Sequence, residues 1–322
     1  MSWPIRLVLT AVFAVFATAA LAQSYPTRPI RLLVSYPPGG AADIVARMLG
    51  QSLAARLGQP VVVENRPGSN GNLAGELAAR ATPDGSTLLL GPSALFAINP
   101  HLYAKMSIDP LKDLLPVASL VSNELLLAAS QSLAAVKDFR DFIALARATK
   151  PALFFASIGN GSEHHLAMEL LKLQAGIDLV HVPYRGGGPA ALGVMGGDVA
   201  AMFGGGSVAP LIQSGKLKGL AVSGLRRSPA LPELPAIAEF YPGYEVAIWQ
   251  GLFAPVGTPA EITARLRTEV SAILAQPDFR EKLSIAGSGE PFVTTLADFV
   301  ARIRRDHEKY GKLIKATGVR VD

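Results

Sequence analysis

Two glycine-rich loops, one in each half of the chain, constrain the fold more than any other feature of the sequence. The first glycine loop covers residues 35–43 (SYPPGGAAD), and the second covers residues 157–162 (SIGNGS). Each follows an apolar run typical of a buried strand and precedes a pattern typical of a helix. Unpaired N–H groups and the positive end of the dipole at a helix start suit a carboxylate or phosphate. The pair predicts two α/β halves that hold one anion between them.

The first half alternates predicted strands and helices. We expect strands at 30–35, 61–64 and 87–91, with helices at 44–57 and 72–81 between them. The first helix is predicted by apolar residues at four-residue spacing, namely Val45, Leu49, Leu53 and Leu57. This βαβαβ order predicts a parallel sheet with right-handed crossovers.

The second half has the same architecture without a repeat in sequence. Strands are expected at 154–156, 180–182, 198–203 and 219–223, and a helix capped by Ser162 is expected to reach residue 174. A further loop, 183–189 (PYRGGGP), stands between a strand and a helix. We call it the third glycine loop.

Two long apolar stretches, 116–130 and 244–255, are interpreted as extended connectors between the halves. Helices are expected at 259–275 and 296–316, and Thr258-Pro259-Ala260-Glu261 matches a capping box with proline at the first helical position. We expect these helices to pack on the first half. The predicted domains are domain I, residues 23–121 with 248–322, and domain II, residues 122–247.

The N-terminus has the pattern of a secretory signal peptide. Arg6 precedes an uncharged run from Leu7 to Ala22 that ends in Ala20-Leu21-Ala22. This run is shorter than the roughly 20 residues of a membrane span, so residues 1–22 are predicted to be cleaved. The chain has no cysteine, which excludes disulfides, thiol catalysis and a lipidated N-terminal cysteine. We expect a free protein in a bacterial periplasm.

Several ordered motifs carry a family resemblance over nearly the whole mature chain. They are Tyr25-Pro26-x-Arg28-Pro29-Ile30, Pro38-Gly39-Gly40-x-x-Asp43, Val63-Glu64-Asn65-Arg66-Pro67-Gly68, Gly159-Asn160-Gly161-Ser162, Val182-Pro183-Tyr184-Arg185-Gly186-Gly187-Gly188-Pro189 and Gly251-Leu252-Phe253-Ala254-Pro255. In these motifs the sequence resembles the Bug-type substrate-binding proteins of tripartite tricarboxylate transporters.

The resemblance implies a two-lobed α/β periplasmic-binding-protein (type II-like) fold, with two Rossmann-like domains joined by two crossing strands. It implies a protein that closes on a small organic acid and passes it to membrane transporter subunits or to a sensor. It implies no enzymatic activity, cofactor or metal. The ligand-binding residues carried over are Tyr36, Gly39, Gly40, Ala41, Asp43, Ser157, Gly159, Gly161, Ser162, Tyr184, Gly186 and Gly187.

Three positions depart from the family pattern. An acidic residue commonly follows the Met-Phe strand end, where this chain has Gly204, and an aromatic residue commonly follows the tryptophan, where it has Gln250. Phe155-Ala156 stands where Tyr-Gly is usual. We expect these positions to border the cleft. They leave open whether the ligand is a dicarboxylate, a tricarboxylate, an aromatic acid, an amino acid or a neutral amide.

Each candidate also has a purely structural interpretation. Asp43 is better explained as a helix cap or a partner of the helix dipole than as a ligand group. Ser162 is interpreted as a helix cap. Tyr184 is explained equally well as a ligand contact or as an aromatic side chain that fills the edge of the domain. His165 and Glu169 share a helical face, but no third metal ligand is near in sequence.

Other functions are predicted to be absent or remain open. The scattered basic residues form no stripe with aromatics, so no nucleic-acid partner is expected. No nucleophile elbow, Walker loop or zinc-protease motif is present. A hydrolase would need a histidine within hydrogen-bond reach of Ser157 or Ser162. A sensory role cannot be separated from transport by sequence, and a monomer is expected.

Overall fold

The computed structural model describes residues 25–228, 231–286 and 289–321, so the predicted signal peptide at 1–22 lies outside the described residues. Within these three ranges, no helix has the length and apolar character needed to cross a membrane.

The strands and helices follow one another in the order that the sequence predicts, with several additions. In chain order the strands are β1 (Ile30–Val34), β2 (Val61–Asn65), β3 (Thr87–Pro92), β4 (Leu114–Glu124), β5 (Leu126–Ala129), β6 (Leu153–Ser157), β7 (Leu179–Pro183), β8 (Ala201–Gly204), β9 (Lys218–Val222), β10 (Ala247–Pro255) and β11 (Glu290–Pro291). The α-helices are α1 (Ala41–Leu57), α2 (Asn72–Ala79), α3 (Ser93–Ala97), α4 (Asn99–Leu102), α5 (Pro110–Asp113), α6 (Phe139–Ala148), α7 (Glu163–Ala175), α8 (Gly187–Gly196), α9 (Ala209–Gln213), α10 (Ala260–Leu274), α11 (Pro277–Ile285) and α12 (Leu296–Thr317).

The first sheet has the strand order β11-β4-β10-β3-β1-β2. β1 pairs in parallel with both β2 and β3, which confirms the predicted βαβαβ unit. β10 is antiparallel to β3 and to β4. The apolar face of α1 packs on this sheet. Val45, Leu49 and Leu53 on that face are almost completely buried in the same cluster as the sheet residues.

The second sheet has the order β7-β6-β8-β5-β9. β6 is parallel to β7 and β8, and β5 is antiparallel to β8 and β9. Its two faces bury separate clusters, one around Phe139, Phe142 and Phe155 and the other around Met202 and Val222. We refer to the part of the molecule around each sheet as the first lobe and the second lobe.

The two predicted connectors are the strands that join the lobes. β4 in the first sheet runs almost directly into β5 in the second, and β10 returns to the first sheet. Near this crossing, the N–H of Val246 bonds to the carbonyl of Ser223, and the Ser223 hydroxyl accepts the N–H of Leu125 at 2.7 Å. Ser223, which follows β9, therefore bridges the two crossing segments, and β10 also pairs with β4 beside it.

The C-terminal helices pack on the first lobe, as expected. α10 buries Leu266, Val270 and Ile273 in the same cluster as α1. The predicted capping box is wrong, because the hydroxyl of Thr258 donates to the carbonyl of Pro255 at 2.8 Å and α10 begins without a side-chain cap. The sequence interpretation also missed the ten-residue helix α6 and the nine-residue helix α11.

Candidate ligand-binding cleft

The strand order indicates that the first and second glycine loops lie where a ligand can bind. The first loop follows β1, which lies between β2 and β3, and the second follows β6, which lies between β7 and β8. At such switch points the successive crossovers leave on opposite sides and open a crevice at the carboxyl ends of the strands. Each sheet therefore carries its glycine loop at its own crevice.

The first glycine loop leaves unpaired amides at the start of α1. Gly40 is the N-cap residue, and no side chain of the described ranges caps this helix. The first helical bond within it runs from the N–H of Ile44 to the carbonyl of Gly40, so the N–H groups before it have no partner inside the helix. Gly40 and Ala41 are exposed, which leaves their amides accessible to an anion.

The Asp43 carboxylate holds the first glycine loop in place through hydrogen bonds. Its Oδ2 accepts the N–H of Gly39 and the Nε of Arg47, both at 2.9 Å, and its Oδ1 accepts Nδ2 of Asn65 at 2.9 Å. The Arg47 hydrogen bond is the largest reason that the pKa of Asp43 falls to about 2, against the opposing effect of burial. Asp43 therefore closes the loop ahead of α1 and does not cap the helix, and the N–H of Gly39 is used by this closure.

We expect Asp43 to make stability depend on pH in the acid range. Its folded-state pKa lies below the ordinary value of 3.8, so its contribution is complete above about pH 4 and is lost as pH falls towards 2. Asp43→Asn should therefore lower the midpoint of thermal unfolding at pH 7, and the difference from wild type should shrink below pH 4. Asp178→Asn, at an exposed position in the second lobe, is the control and should change neither value. A constant difference from pH 7 to pH 2.5 would contradict this assignment.

The second glycine loop is held by its own side chains. The Ser157 hydroxyl has no exposed surface, lies 2.6 Å from Nε2 of His181 and accepts the N–H of Gly159 at 3.0 Å. The N–H of Gly161 donates to Nδ1 of His165 at 3.1 Å. These amides are therefore used inside the loop, although the sequence placed Gly159 and Gly161 among the ligand contacts.

Ser162 begins α7 in the way a capping serine does. Its hydroxyl accepts the N–H of His165 at 3.3 Å and donates to the carbonyl of Gly159 at 2.8 Å. Gly161 lies at the interface between the lobes, since a Cβ there would overlap the Leu102 side chain and lie 3.1 Å from that of Val321. The second glycine loop is thus a lobe contact as well as a helix start.

Two histidine rings stack behind this loop. The rings of His165 and His181 are 3.7 Å apart and nearly parallel. Burial is the main reason that the pKa of His165 falls to about 3 and that of His181 to about 4, so both rings are neutral at pH 7. No group of three or more potential metal ligands occurs among the described residues. The pair therefore serves packing and hydrogen bonding in this conformation.

The third glycine loop presents a second set of free amides. Gly186 is the N-cap residue of α8, which has no side-chain cap within the part of the chain that the structure describes. A Cβ at Gly186, Gly187 or Gly188 would meet no atom within 4 Å, so an anion can approach the backbone. The Tyr184 ring packs with the buried cluster beneath α8, against Gly193.

The lobes meet where these loops face each other. The Glu163 carboxyl, in the second lobe, accepts the hydroxyl of Ser93 in the first lobe at 2.9 Å. Burial raises the pKa of Tyr36 in the first glycine loop, and the charge of Glu163 raises it further. The hydrogen bond between Ser93 and Glu163 therefore joins the two lobes at a buried point.

Two cavities of more than 400 Å³ lie outside the region of the glycine loops. One cavity of about 410 Å³ lies inside the first lobe between α10, α12 and β4. Another of about 430 Å³ lies beside the crossing strands and is lined by Glu124, Glu245 and Arg302. The strand topology and the free amides are the stronger guide to the site.

The departures from the family pattern lie deeper than expected. Phe155 and Ala156 are completely buried and belong to the cores on opposite faces of the second sheet. Gly204 ends β8, and a Cβ there would lie 2.6 Å from the side chain of Val208. Gln250 is buried in β10, and its Oε1 has no hydrogen-bond partner among the described residues.

Sequence reasoning missed several polar groups in this region. Ser35, Ser93 and Glu163 are all buried, and the Ser35 hydroxyl has no partner in the described part of the chain. Gly188 adds an amide position that was not on the predicted list. Ser35 was placed at the end of the predicted strand 30–35 but not among the ligand contacts. No local signal brings Ser93 to Glu163, which is 70 residues away.

Comparison with known proteins decides the family. The model of the tripartite tricarboxylate transporter family receptor (TctC) matches residues 45–319. The chain belongs to this family. It is 33% identical to the protein BugT of Bordetella pertussis over 322 residues, which is 97% of this chain and 98% of BugT.

Two related solved structures superpose closely on this one. Rpa4515 of Rhodopseudomonas palustris, solved with adipate, is 34% identical with a TM-score of 0.81 and covers 92% of this chain and 100% of its own. MatC of the same organism, solved with bound malate, is 31% identical with a TM-score of 0.75 and covers 90% of this chain and 100% of its own. The predicted two-lobed periplasmic-binding-protein fold is confirmed.

Proposed function

We propose that this TctC-type receptor captures a small organic carboxylate between its two lobes. The observation that carries this proposal is the pair of uncapped helix starts, α1 after β1 and α8 after β7, at the carboxyl edges of the two sheets. Each offers backbone N–H groups that no side chain among the described residues caps. Adipate and malate in the two related structures are small carboxylates, which supports the same ligand class here.

The mechanism we propose is closure around the anion. An exposed helix start stabilises an anion by about 0.3–1 kcal/mol, and by more once closure excludes water. We expect micromolar affinity, about −8 kcal/mol, with the two helix starts and hydrogen bonds from both lobes contributing together. Gly40, Ala41, Gly186 and Gly187 would supply amides, while Asp43 and Ser157 would hold their loops in shape.

We further propose that the protein works in the periplasm and delivers its ligand to a tripartite tricarboxylate-type transporter. The signal-peptide pattern at 1–22 and the family support this assignment. Transfer to a membrane sensor is the alternative. Affinity capture of membrane partners, with and without ligand, separates the two, because recovery of a sensor kinase instead of transporter subunits would favour sensing.

The test of the binding function is a thermal-shift screen of the ligand-free protein against small organic acids and amides. Binding to the folded state stabilises it by about 2.7 kcal/mol at a hundredfold excess over Kd. We expect one series of carboxylates to raise the unfolding midpoint. If no acid shifts protein that is shown to be folded, the carboxylate proposal fails.

One observation favours a second candidate, a hydrolase. Ser157 has the histidine neighbour that a hydrolase needs, since its Oγ lies 2.6 Å from Nε2 of His181. However, Ser157 is completely buried, and a base with a pKa of about 4 is weak at neutral pH. No carboxylate among the described residues hydrogen-bonds to His181.

We therefore expect no turnover of 4-nitrophenyl acetate above background. The wild-type protein and Ser157→Ala should give equal rates across pH 6–8. A rate that falls to background in Ser157→Ala would favour the hydrolase instead.

A further inference from the structure

The cavity inside the first lobe is lined mainly by apolar side chains. It has a volume of about 410 Å³ and lies between α5, α10, α12 and the start of β4. Phe96, Leu114 and Phe253 form its floor, since each is at most 2% exposed. Small-molecule sites have volumes of about 300–1,000 Å³ and mostly apolar walls with a few polar groups. The cavity is therefore large enough for a ligand with an apolar body.

Helices α12 and α10 form two walls of this cavity, and each contributes an arginine. Leu296, Val300 and Ile303 recur at spacings of four and three residues, so they lie on one face of α12. Arg304 follows Val300 by four residues on the same face and is exposed. Arg267 lines the cavity from α10. Two guanidinium groups therefore border one apolar space.

The positive charge at this cavity is not compensated by the protein. Nε of Arg267 donates to the carbonyl of Val117 at 2.8 Å, which holds the side chain beside β4. Among the described residues, the terminal nitrogens of Arg267 and the guanidinium of Arg304 have no hydrogen-bond or ion-pair partner. The third cation of the lining, Lys112, is paired with Asp109 at 2.7 Å. Within the described ranges, no aspartate or glutamate lines the cavity.

We propose that this cavity is a second binding site, which takes an aliphatic monocarboxylate. The hydrocarbon chain lies on the apolar floor, and the carboxylate pairs with Arg267 and Arg304, whose planar donors match its two oxygens. An uncharged alcohol lacks the ion pair, and a dicarboxylate would have to bury its second charge against apolar side chains. The site uses none of the glycine loops, so the inference is independent of the proposed function of the cleft.

The experiment is calorimetry at pH 7 and low salt with straight-chain monocarboxylates of four to ten carbons. We expect the affinity to rise about fourfold for each added methylene group until the chain fills the cavity. 1-Octanol and the eight-carbon dicarboxylate suberate should each bind this site at least about tenfold more weakly than octanoate. The increase with chain length reports the apolar walls, and the comparison with the alcohol reports the arginines.

Matched variants locate the binding. Arg304→Gln should weaken octanoate binding by about fivefold or more, because it removes one of the two charges that pair with the carboxylate. Arg305→Gln is the control, since it removes the same charge at the next exposed position, which does not line the cavity. It should change the affinity by less than about twofold. Val300→Phe fills part of the cavity and should weaken octanoate binding by at least about tenfold.

Equal octanoate affinities in Arg304→Gln and Arg305→Gln would overturn the inference, and so would 1-octanol that binds as tightly as octanoate. Octanoate that is displaced by a cleft ligand from the acid screen and is insensitive to Val300→Phe would place it in the cleft, which also contradicts a second site. The two arginine variants decide the question if Val300→Phe does not fold. None of these results bears on the proposed function, because the three substitutions lie outside the glycine loops.

Discussion

Asp306→Ala is expected to lower the free energy of unfolding by about 3–5 kcal/mol, the cost of removing one partner from a buried charge network. Asp306 is 1% exposed. Its Oδ2 accepts Nε of Arg302 at 2.7 Å and Nε1 of Trp249 at 2.8 Å, and its Oδ1 lies 3.2 Å from Nζ of Lys309. The variant leaves the indole N–H buried without an acceptor and removes the carboxylate between two cations.

This network ties α12 to the returning connector. Arg302 also bonds to the Glu245 carboxylate at 2.8 Å, and Lys309 donates to the Glu245 carbonyl at 2.9 Å. Burial acts to raise the pKa of Asp306, but the charges of Lys309 and Arg302 lower it overall. Asp306 is therefore ionised at neutral pH, and its loss affects both the helix and the strand beside it.

Urea unfolding of Asp306→Ala and Glu308→Ala gives the measurement and its control. Glu308 is exposed on the same helix, so its replacement should change stability by less than about 0.5 kcal/mol. Asp306→Asn keeps an acceptor for Trp249 and isolates the effect of the charge. A loss below about 1 kcal/mol for Asp306→Ala would show that the network contributes little.

Gly161→Val is expected to weaken ligand binding by about tenfold or more, because it lowers the fraction of molecules that can close. Gly161 has a φ of +71°, and a side chain there would enter the space of Leu102 in the opposite lobe. Backbone strain costs about 1–2 kcal/mol of stability, and the steric overlap separates the lobes. The measurements are calorimetry with a ligand from the acid screen and small-angle X-ray scattering of the ligand-bound protein.

Gly176→Val is the control that separates the effect of backbone strain from the effect of contact between the lobes. Gly176 ends the same helix with a φ of +61°, but a Cβ there meets no atom within 4 Å. It should lose similar stability, keep wild-type affinity and give the wild-type radius of gyration. Equal affinities for the two variants would mean that Gly161 does not limit closure.

Much of the fold could be predicted from local pattern. Strand β1 and helix α1 were predictable because a buried strand and a one-sided helix repeat their apolar residues at different periods. Helices α3, α4 and α5 could not be predicted in this way, because each has only four or five residues and is too short to show a periodic apolar face. The start of α10 was misread because Thr258 bonds to Pro255, a competing local contact that the capping-box pattern cannot reveal.

The candidate site, like the fold, could be predicted from the sequence only in part. The sequence placed glycine loops after β1, β6 and β7, because glycine between a strand and a helix marks a close backbone approach. It could not show that the Gly39 and Gly159 amides are used by Asp43 and Ser157 while α1 and α8 keep free ones. The twelve ligand contacts carried over from the family, and the domain limits, stay predictions.

The sequence by itself determined the α/β class, the paired loops and the family, because these depend on neighbouring residues and on ordered motifs. Only the tertiary structure decided which groups meet across the cleft. Glu163 reaches Ser93, and Gly161 packs on Leu102, although each pair is distant along the chain. Such contacts arise from the packing of two sheets joined by β4 and β10, and a polar group that this packing buries must find its partner there.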